Sequence, residues 1–131
     1  MITPPNETVQ YRLERAEEAY HDALTLSESG GWNSCVNRLY YSCFYAVSAL
    51  LLQDNLSSPK HTGVRGIFNK DYVRTGIISK DQARLYNDLF ERRQEADYGD
   101  FVYFEESEIA PLLPQVRDLL DSITKILAMD K

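Results

Sequence analysis

The stretch with the most potential for chemistry is ERRQEADYGDF, which runs from Glu91 to Phe101. Arg93 could bind a phosphate, while Asp97 and Tyr98 supply a carboxylate and a phenol within two helical turns of it. The same residues also suit a structural role, because Arg93 and Asp97 stand four positions apart, as paired charges on a helix do. Tyr98 precedes a glycine, where an aromatic ring commonly packs with its hydroxyl hydrogen-bonded. This tract alone therefore does not distinguish a working site from the end of a helix.

Two further residues could join Arg93 and Tyr98. Arg38 lies in the most apolar segment, where an unpaired charge is costly, so we expect a carboxylate from another helix or from a second subunit beside it. His61 begins a short predicted helix, where free N–H groups could hold a phosphate, although a histidine that braces the turn is the simpler interpretation. If Arg38, His61, Arg93 and Tyr98 converge, they form a basic and aromatic cleft suited to a nucleotide or single-stranded RNA. The other histidine, His21, falls on a polar helix face, and we assign it no role.

Hydrophobic periodicity predicts the helices that must position these side chains. Apolar residues recur at three- and four-residue steps, as in amphipathic helices, over segments 6–29, 33–53, 79–98 and 107–128. The second segment is the most hydrophobic and should be central. Residues 61–78 contain three glycines and predict short helical turns. With no alternating strand pattern, the fold class is all-α: one antiparallel bundle of four long helices plus short turns, spanning 1–131 with its core at about 7–128.

Individual residues predict where these helices begin and end. Two glycines follow the first helix and can form a left-handed cap. Ser79 is a plausible N-cap of the third long helix, and Gly99 a natural stop. Pro111 and Pro114 should loosen or kink the first turns of the last helix.

Composition fits one self-sufficient domain in the cytoplasm. A chain of 131 residues that is 44% hydrophobic can bury roughly two thirds of its unfolded surface. Its longest apolar run, CFYAVSALLL, is about half the length of a membrane span, and the N-terminus has no export signal. Cys35 and Cys43 would lie about 12 Å apart on one helix, which is too far for a disulfide. No histidine adjoins them as in a zinc site, so we expect no metal and no other cofactor.

The charge is unevenly distributed along the chain. The formal net charge is −6 in total, but it is −4 over residues 1–59, +4 over 60–93 and −6 over 94–131. A local basic surface can attract phosphate despite an acidic whole, because salt screens charges beyond about 8–10 Å. Scattered solvating charges explain the same pattern.

Familiar catalytic motifs are missing, but three longer blocks carry a resemblance. The chain has no phosphate-binding glycine loop ending in Gly-Lys-Ser or Gly-Lys-Thr, no Gly-x-Ser-x-Gly, no His-Glu-x-x-His and no Cys-x-x-Cys. It does contain NRLYYSCFYAVSALLL, PKHTGVRGIFN and LFERRQEADYGDF in that order. With these blocks it resembles the HEPN domain, the higher-eukaryote and prokaryote nucleotide-binding family. The likeness extends over most of the chain, from Tyr11 to Leu127.

The resemblance implies partners as well as a fold. HEPN proteins are compact helical bundles, commonly homodimers, and are often encoded beside a small nucleotidyltransferase with which they form a toxin and antitoxin pair. In some pairs the nucleotidyltransferase attaches adenylate to a tyrosine near the motif. Tyr98 is the candidate for that modification here.

The family's ribonuclease motif is incomplete in this chain. In HEPN ribonucleases an arginine is followed, after four to six residues, by a histidine that handles a proton near neutrality. Arg93 matches the arginine, but Tyr98 stands five positions later, and an ordinary tyrosine titrates near pH 10. The form Arg-x-x-Ala-Asp-Tyr, which ends in Asp97 and Tyr98, resembles a subfamily variant of the block.

These observations leave three hypotheses. The preferred one is a dimeric HEPN-like binding and regulatory module that works with a nucleotidyltransferase and binds nucleotide or RNA through Arg38, His61, Arg93, Asp97 and Tyr98. The second is a metal-independent ribonuclease toxin, in which Arg93 stabilises a phosphate and His61 or Tyr98 moves the proton. The third is a structural helical adaptor.

Overall fold

The structure is a computed structural model that describes residues 5–129, with side chains from residue 7 onward. Within that range all regular structure is helical, as the hydrophobic pattern predicts. The helices are α1 (Pro5–Ser29), α2 (Trp32–Gln53), α3 (His61–Phe68), α4 (Lys80–Tyr98), α5 (Glu106–Ile109) and α6 (Leu112–Met129). No helix among these residues is both long and apolar enough to cross a membrane.

Helix α2 is the centre of the bundle. It contacts all five other helices, and its twelve buried residues include Leu39, Tyr40, Cys43 and Leu50. Such a helix is hydrophobic around most of its circumference because neighbours cover it on several sides. The prediction of a central second helix is confirmed. Its two cysteines, Cys35 and Cys43, are free and buried.

The helix ends follow their local sequence signals. Gly30 has φ +79, and the next residue, Gly31, donates its N–H to the Leu26 carbonyl at 2.9 Å, which closes α1 with the predicted left-handed cap. Ser79 accepts a hydrogen bond from the Gln82 N–H at 3.1 Å, and the Gln82 side chain accepts from the Ser79 N–H in return. This reciprocal capping fixes the start of α4.

Two segments depart from regular helices where the sequence indicated breaks. The last helix is divided, because α5 ends before Pro111 and α6 begins after it. Between α3 and α4 the chain forms one π-helical turn, Asn69–Val73. Its Tyr72 hydroxyl donates to Asp54 and lies 3.3 Å from the Leu50 carbonyl, which fastens this turn to the end of α2.

The connection between α4 and α5 is held tightly against α2. The Asn33 side chain donates to the Val102 carbonyl at 2.7 Å and accepts from the Phe104 N–H at 2.9 Å. Phe101, which directly precedes Val102, has φ +60, a conformation that is uncommon for a residue with a side chain. Its ring is 91% exposed. The anchored connection therefore displays an aromatic side chain to solvent.

Two glycine substitutions test how closely the chain packs at the end of α4. A Cβ added at Gly99 would lie 2.7 Å from both the Glu95 carbonyl oxygen and the Val102 Cγ2, whereas a Cβ at Gly66 in α3 meets nothing within 4 Å. We expect Gly99→Ala to lower the free energy of unfolding by about 1–3 kcal/mol through overpacking. Gly66→Ala should raise it by about 0.5–1 kcal/mol, because alanine favours a helix interior.

Urea unfolding followed by circular dichroism measures both changes. Equal effects of the two substitutions would contradict the close approach at Gly99.

Candidate functional site

The rings of Tyr40 and Tyr41, neighbours on α2, are the centre of the candidate site. The Arg93 guanidinium carbon lies 4.6 Å from the Tyr40 ring centroid and 5.7 Å from that of Tyr41. The Arg38 guanidinium carbon lies 5.2 Å from the Tyr41 centroid, and the His61 ring centroid is 5.8 Å from each tyrosine. Three of the four residues expected to converge, Arg38, His61 and Arg93, therefore meet around this pair of rings.

Arg93 is buried, with only 7% of its surface exposed. Its nearest carboxylate is that of Asp97, at 3.8 Å from its Nη1, so the ion pair suggested by their spacing is present but long. Its Nε is buried and has no hydrogen-bond partner among the described residues. The Tyr40 ring stabilises the guanidinium through a cation–π contact. The Arg93 charge is consequently only partly compensated.

A chain of polar contacts connects Arg38 to Asp97. Arg38 donates from Nε and Nη2 to the Asn37 Oδ1, at 3.1 and 2.8 Å. The Asn37 Nδ2 donates to the Asp97 carboxylate, at 3.2 and 3.4 Å. The carboxylate expected beside Arg38 is thus replaced, within the described part of one chain, by an amide and an aromatic ring. Two arginines share one carboxylate, which leaves a surplus positive charge.

His61 is fixed at the start of α3 by its ring. Its Nδ1 is hydrogen-bonded to the Tyr40 hydroxyl at 2.9 Å, and its ring stacks on Phe44 with centroids 4.3 Å apart. Burial lowers the pKa of His61, and the nearby positive charge of Arg93 lowers it further. Burial also raises the pKa of Tyr40, to about 12. Both groups are therefore neutral near pH 7, and the His61 ring attaches the start of α3 to α2.

Tyr98 stands apart from this cluster. It is the last residue of α4 and is 79% exposed, which does not fit the expectation of a packed ring. Its neighbours Phe101 and Tyr103 are 91% and 79% exposed. The helix α4 ends at Tyr98, and the long-range contacts of Asn33 draw the backbone that follows, rather than these rings, onto α2.

The other basic residues of segment 60–93 do not all join the site. Arg65, Arg84 and Arg92 pair with Glu91, Asp81 and Asp88, respectively. Exposed salt bridges of this kind keep a helix surface solvated, and each contributes little to stability. His21, for which no role is expected, is exposed on α1.

A surface cavity of about 380 Å³ adjoins the Arg38 side of the cluster. Its lining includes Asn33, Asn37, Arg38 and Asp97. The hydrogen-bond donors and the surplus positive charge can bind a phosphate. The half-buried ring of Tyr41, beside Arg38, can stack on a base. Sequence reasoning did not assign roles to Asn37, Tyr40 or Phe44. Four aromatics within six residues, at 40–45, were the available signal.

Comparison with known proteins gives a consistent picture. The model of the HEPN domain matches residues 9–127. A UPF0332 protein of Thermotoga maritima is 41% identical over 119 residues, covering 91% of this chain and 90% of the relative. Two proteins of Methanocaldococcus jannaschii, each named "putative toxin", are 31% and 33% identical, covering 88% and 92% of this chain and 78% and 90% of their own lengths.

The lowered pKa of His61 predicts a pH-dependent stability. An ordinary histidine titrates near 6.5, so the unfolded chain binds a proton at this position before the folded protein does. The neutral ring therefore contributes stability that is fully present above about pH 6.5 and is lost as the pH falls through the lower pKa of the folded state. Between about pH 7.5 and pH 5 the wild type should lose more stability than His61→Gln. Urea unfolding at both pH values measures the difference, and parallel losses in the two proteins would contradict it.

Proposed function

The chain belongs to the HEPN domain family, and we propose that it is a binding and regulatory HEPN module that holds a nucleotide or a short piece of RNA without cutting it. The observation that carries this proposal is the convergence of Arg38, His61 and Arg93 on Tyr40 and Tyr41. A phosphate would bind near Arg38 and Asn37, and a base would stack on Tyr41.

The arrangement favours binding over cleavage. Metal-independent cleavage of RNA needs a group that removes a proton and a cation that reaches the phosphate. Arg93 is 7% exposed and packed on Tyr40, so it acts at a distance through its charge. Tyr98 lies outside the cluster. Arg38 is the half-buried cation that remains within reach of a ligand.

The second candidate function is a ribonuclease toxin, and one observation favours it. His61 is neutral near pH 7 and lies beside the charge of Arg93, so its Nε2 could accept a proton from a ribose hydroxyl. The relatives named as toxins agree with such a role. In this version Arg93 keeps the place of the motif's arginine, and His61 would take the role of its missing histidine.

We further propose that the module is a homodimer and works with a small nucleotidyltransferase. Arg38 makes no direct ion pair within the described residues of its own chain, since it reaches Asp97 only through Asn37, and this is consistent with a second copy supplying a carboxylate. Tyr98, Phe101 and Tyr103 form an exposed aromatic surface on an anchored connection, of the kind that marks a protein interface. Because Tyr98 is exposed, its hydroxyl is accessible to an enzyme that attaches adenylate.

Nucleotide binding tests the main proposal. Adenosine monophosphate should bind the wild type, and Arg38→Gln should weaken that binding by about tenfold, the effect of losing one charge-assisted contact of about 1.4 kcal/mol. Arg84→Gln, which removes an exposed arginine on α4, is the matched control and should bind as the wild type does. Isothermal titration calorimetry measures both affinities. An equal loss in the two variants would contradict a site at Arg38.

Expression of the protein by itself separates the two functions. For the binding module we expect normal growth of the host and intact RNA on a sequencing gel. Growth arrest with broken RNA that disappears in both Arg93→Ala and His61→Ala would instead establish the toxin.

Co-purification with a nucleotidyltransferase encoded beside the gene tests the partner. We expect the triple variant Tyr98→Ala, Phe101→Ala, Tyr103→Ala to lose the complex, while Tyr11→Ala, a change at an exposed ring on α1, keeps it. Retention of Arg93→Ala in the complex would show that the partner does not need the Tyr40 cluster. Mass spectrometry of Tyr98 from the co-expressed pair should find added adenylate, and an unmodified Tyr98 would count against that modification.

A further inference from the structure

A second basic and aromatic pocket lies beside the candidate site. It has a volume of about 290 Å³ and lies between α1, α2 and the chain that precedes α3. Two arginines, Arg12 and Arg15, line it together with Tyr11, Phe44 and Tyr45. None of its described lining residues is acidic. In a protein with a net charge of −6, a pocket of this composition is suited to an anion that carries an aromatic group.

The arginines of this pocket are incompletely neutralised. The Arg15 guanidinium carbon lies 5.2 Å from the Tyr45 ring centroid, and its donors reach the Tyr11 and Tyr45 hydroxyls at 3.2 and 3.4 Å. Its Nε is buried and makes no hydrogen bond among the described residues, and its only carboxylate neighbour there, Glu18, forms a long ion pair with this Nε at 3.8 Å. Arg12 donates to the Ser48 carbonyl over a long distance, 3.5 Å. Stronger acceptors, such as phosphate oxygens, would be favoured at both residues.

This pocket and the Tyr41 cluster share a wall. Phe44 lines the pocket and stacks on His61, and Tyr45 lines the pocket with its ring centroid 6.1 Å from that of Tyr41. Positions 38, 41, 45 and 48 follow each other at three- and four-residue steps, so they lie on one face of α2. From Arg38 to Ser48 this face extends about 15 Å at 1.5 Å per residue. An arginine packs on a tyrosine ring at each end, Arg38 on Tyr41 and Arg15 on Tyr45.

We propose that the Arg12 and Arg15 pocket is a second phosphate subsite, and that the ligand of this surface is a single strand of nucleic acid spanning both subsites rather than a mononucleotide. This inference rests on the proposed function, since the first subsite is the Tyr41 cluster. Bases stack on the half-buried rings of Tyr41 and Tyr45, while the phosphates between and beyond them meet Arg38 at one end and the arginine pair at the other. The composition of the surface favours this occupant over an acidic peptide, because two adjacent rings with an arginine site at each end match the stacked bases and flanking phosphates of a strand.

The experiment compares ligand length with loss of the arginine pair. A fluorescein-labelled oligoribonucleotide of about eight nucleotides, within the site size of single-strand-binding folds, serves as the long probe. Adenosine monophosphate serves as the short one. The double variant Arg12→Gln/Arg15→Gln should bind the long probe about tenfold more weakly than the wild type. The slope of log affinity against log salt concentration should become shallower by about 1.4, as expected for two lost phosphate contacts to a single strand. Its affinity for adenosine monophosphate should equal that of the wild type.

Two matched variants control for net charge and for folding. The double variant Arg74→Gln/Arg84→Gln removes two exposed charges outside this surface and should bind the long probe as the wild type does. Arg12→Lys, Arg15→Lys keeps both charges and should retain most of the salt dependence. Circular dichroism melting of each variant identifies any loss of structure, and the comparison of the long and short probes on the wild type carries the test if the glutamine variant unfolds.

The outcomes separate the second subsite from the proposed function. If both probes bind the wild type equally tightly, or if the two glutamine variants lose affinity alike, the second subsite is refuted while the first stands. If the wild type binds neither probe, the proposed nucleotide-binding function fails together with this inference. If an acidic peptide of similar length displaces the long probe with equal affinity, the surface is a peptide site instead.

Discussion

The Arg93 guanidinium packed on the Tyr40 ring is the contact that joins α4 to α2 at the candidate site. A buried cation loses its hydration, and in a protein interior this loss is tolerated only where other groups replace the water. Here the replacement is a ring face at 4.6 Å and a carboxylate at 3.8 Å. A desolvated cation–π contact is worth about 2 kcal/mol or more. The arginine therefore helps to hold the helices together and also leaves a positive potential where they meet.

That potential affects the residues that surround it. Burial lowers the pKa of His61 and this potential lowers it further, which keeps the ring neutral and hydrogen-bonded to Tyr40. The Asp97 carboxylate pairs with Arg93 directly and is connected to Arg38 through Asn37. One carboxylate between two arginines cannot neutralise both. The cluster is thus locally positive in an acidic protein, and an anionic ligand would supply the missing charge.

Helix α2 serves two purposes on different sides. Its buried side packs against the other helices, whereas Arg38, Tyr41 and Tyr45 on the other side are half-buried and lie along the proposed strand-binding surface. A rigid central helix suits this arrangement, because rings held by core packing lose little further conformational entropy when a ligand stacks on them. The exposed side chains of Tyr98, Phe101 and Tyr103 lie at the end of α4 and in the connection after it, whose backbone the Asn33 contacts hold against α2.

The sequence by itself determined the helices, because periodicity, capping residues and prolines act over a few positions. It correctly placed the glycine cap of α1 and the Ser79 cap, and it predicted a disturbance near Pro111, where the structure divides the last helix in two. Its three blocks indicated the family that the matched HEPN model shows. Only the tertiary structure decided which side chains meet. His61 and Arg93 are 32 positions apart in the chain, and no local signal shows that both lie against Tyr40. Likewise, Tyr98 falls outside the cluster because α4 ends at this residue and the following backbone turns onto Asn33, a contact between segments distant in sequence.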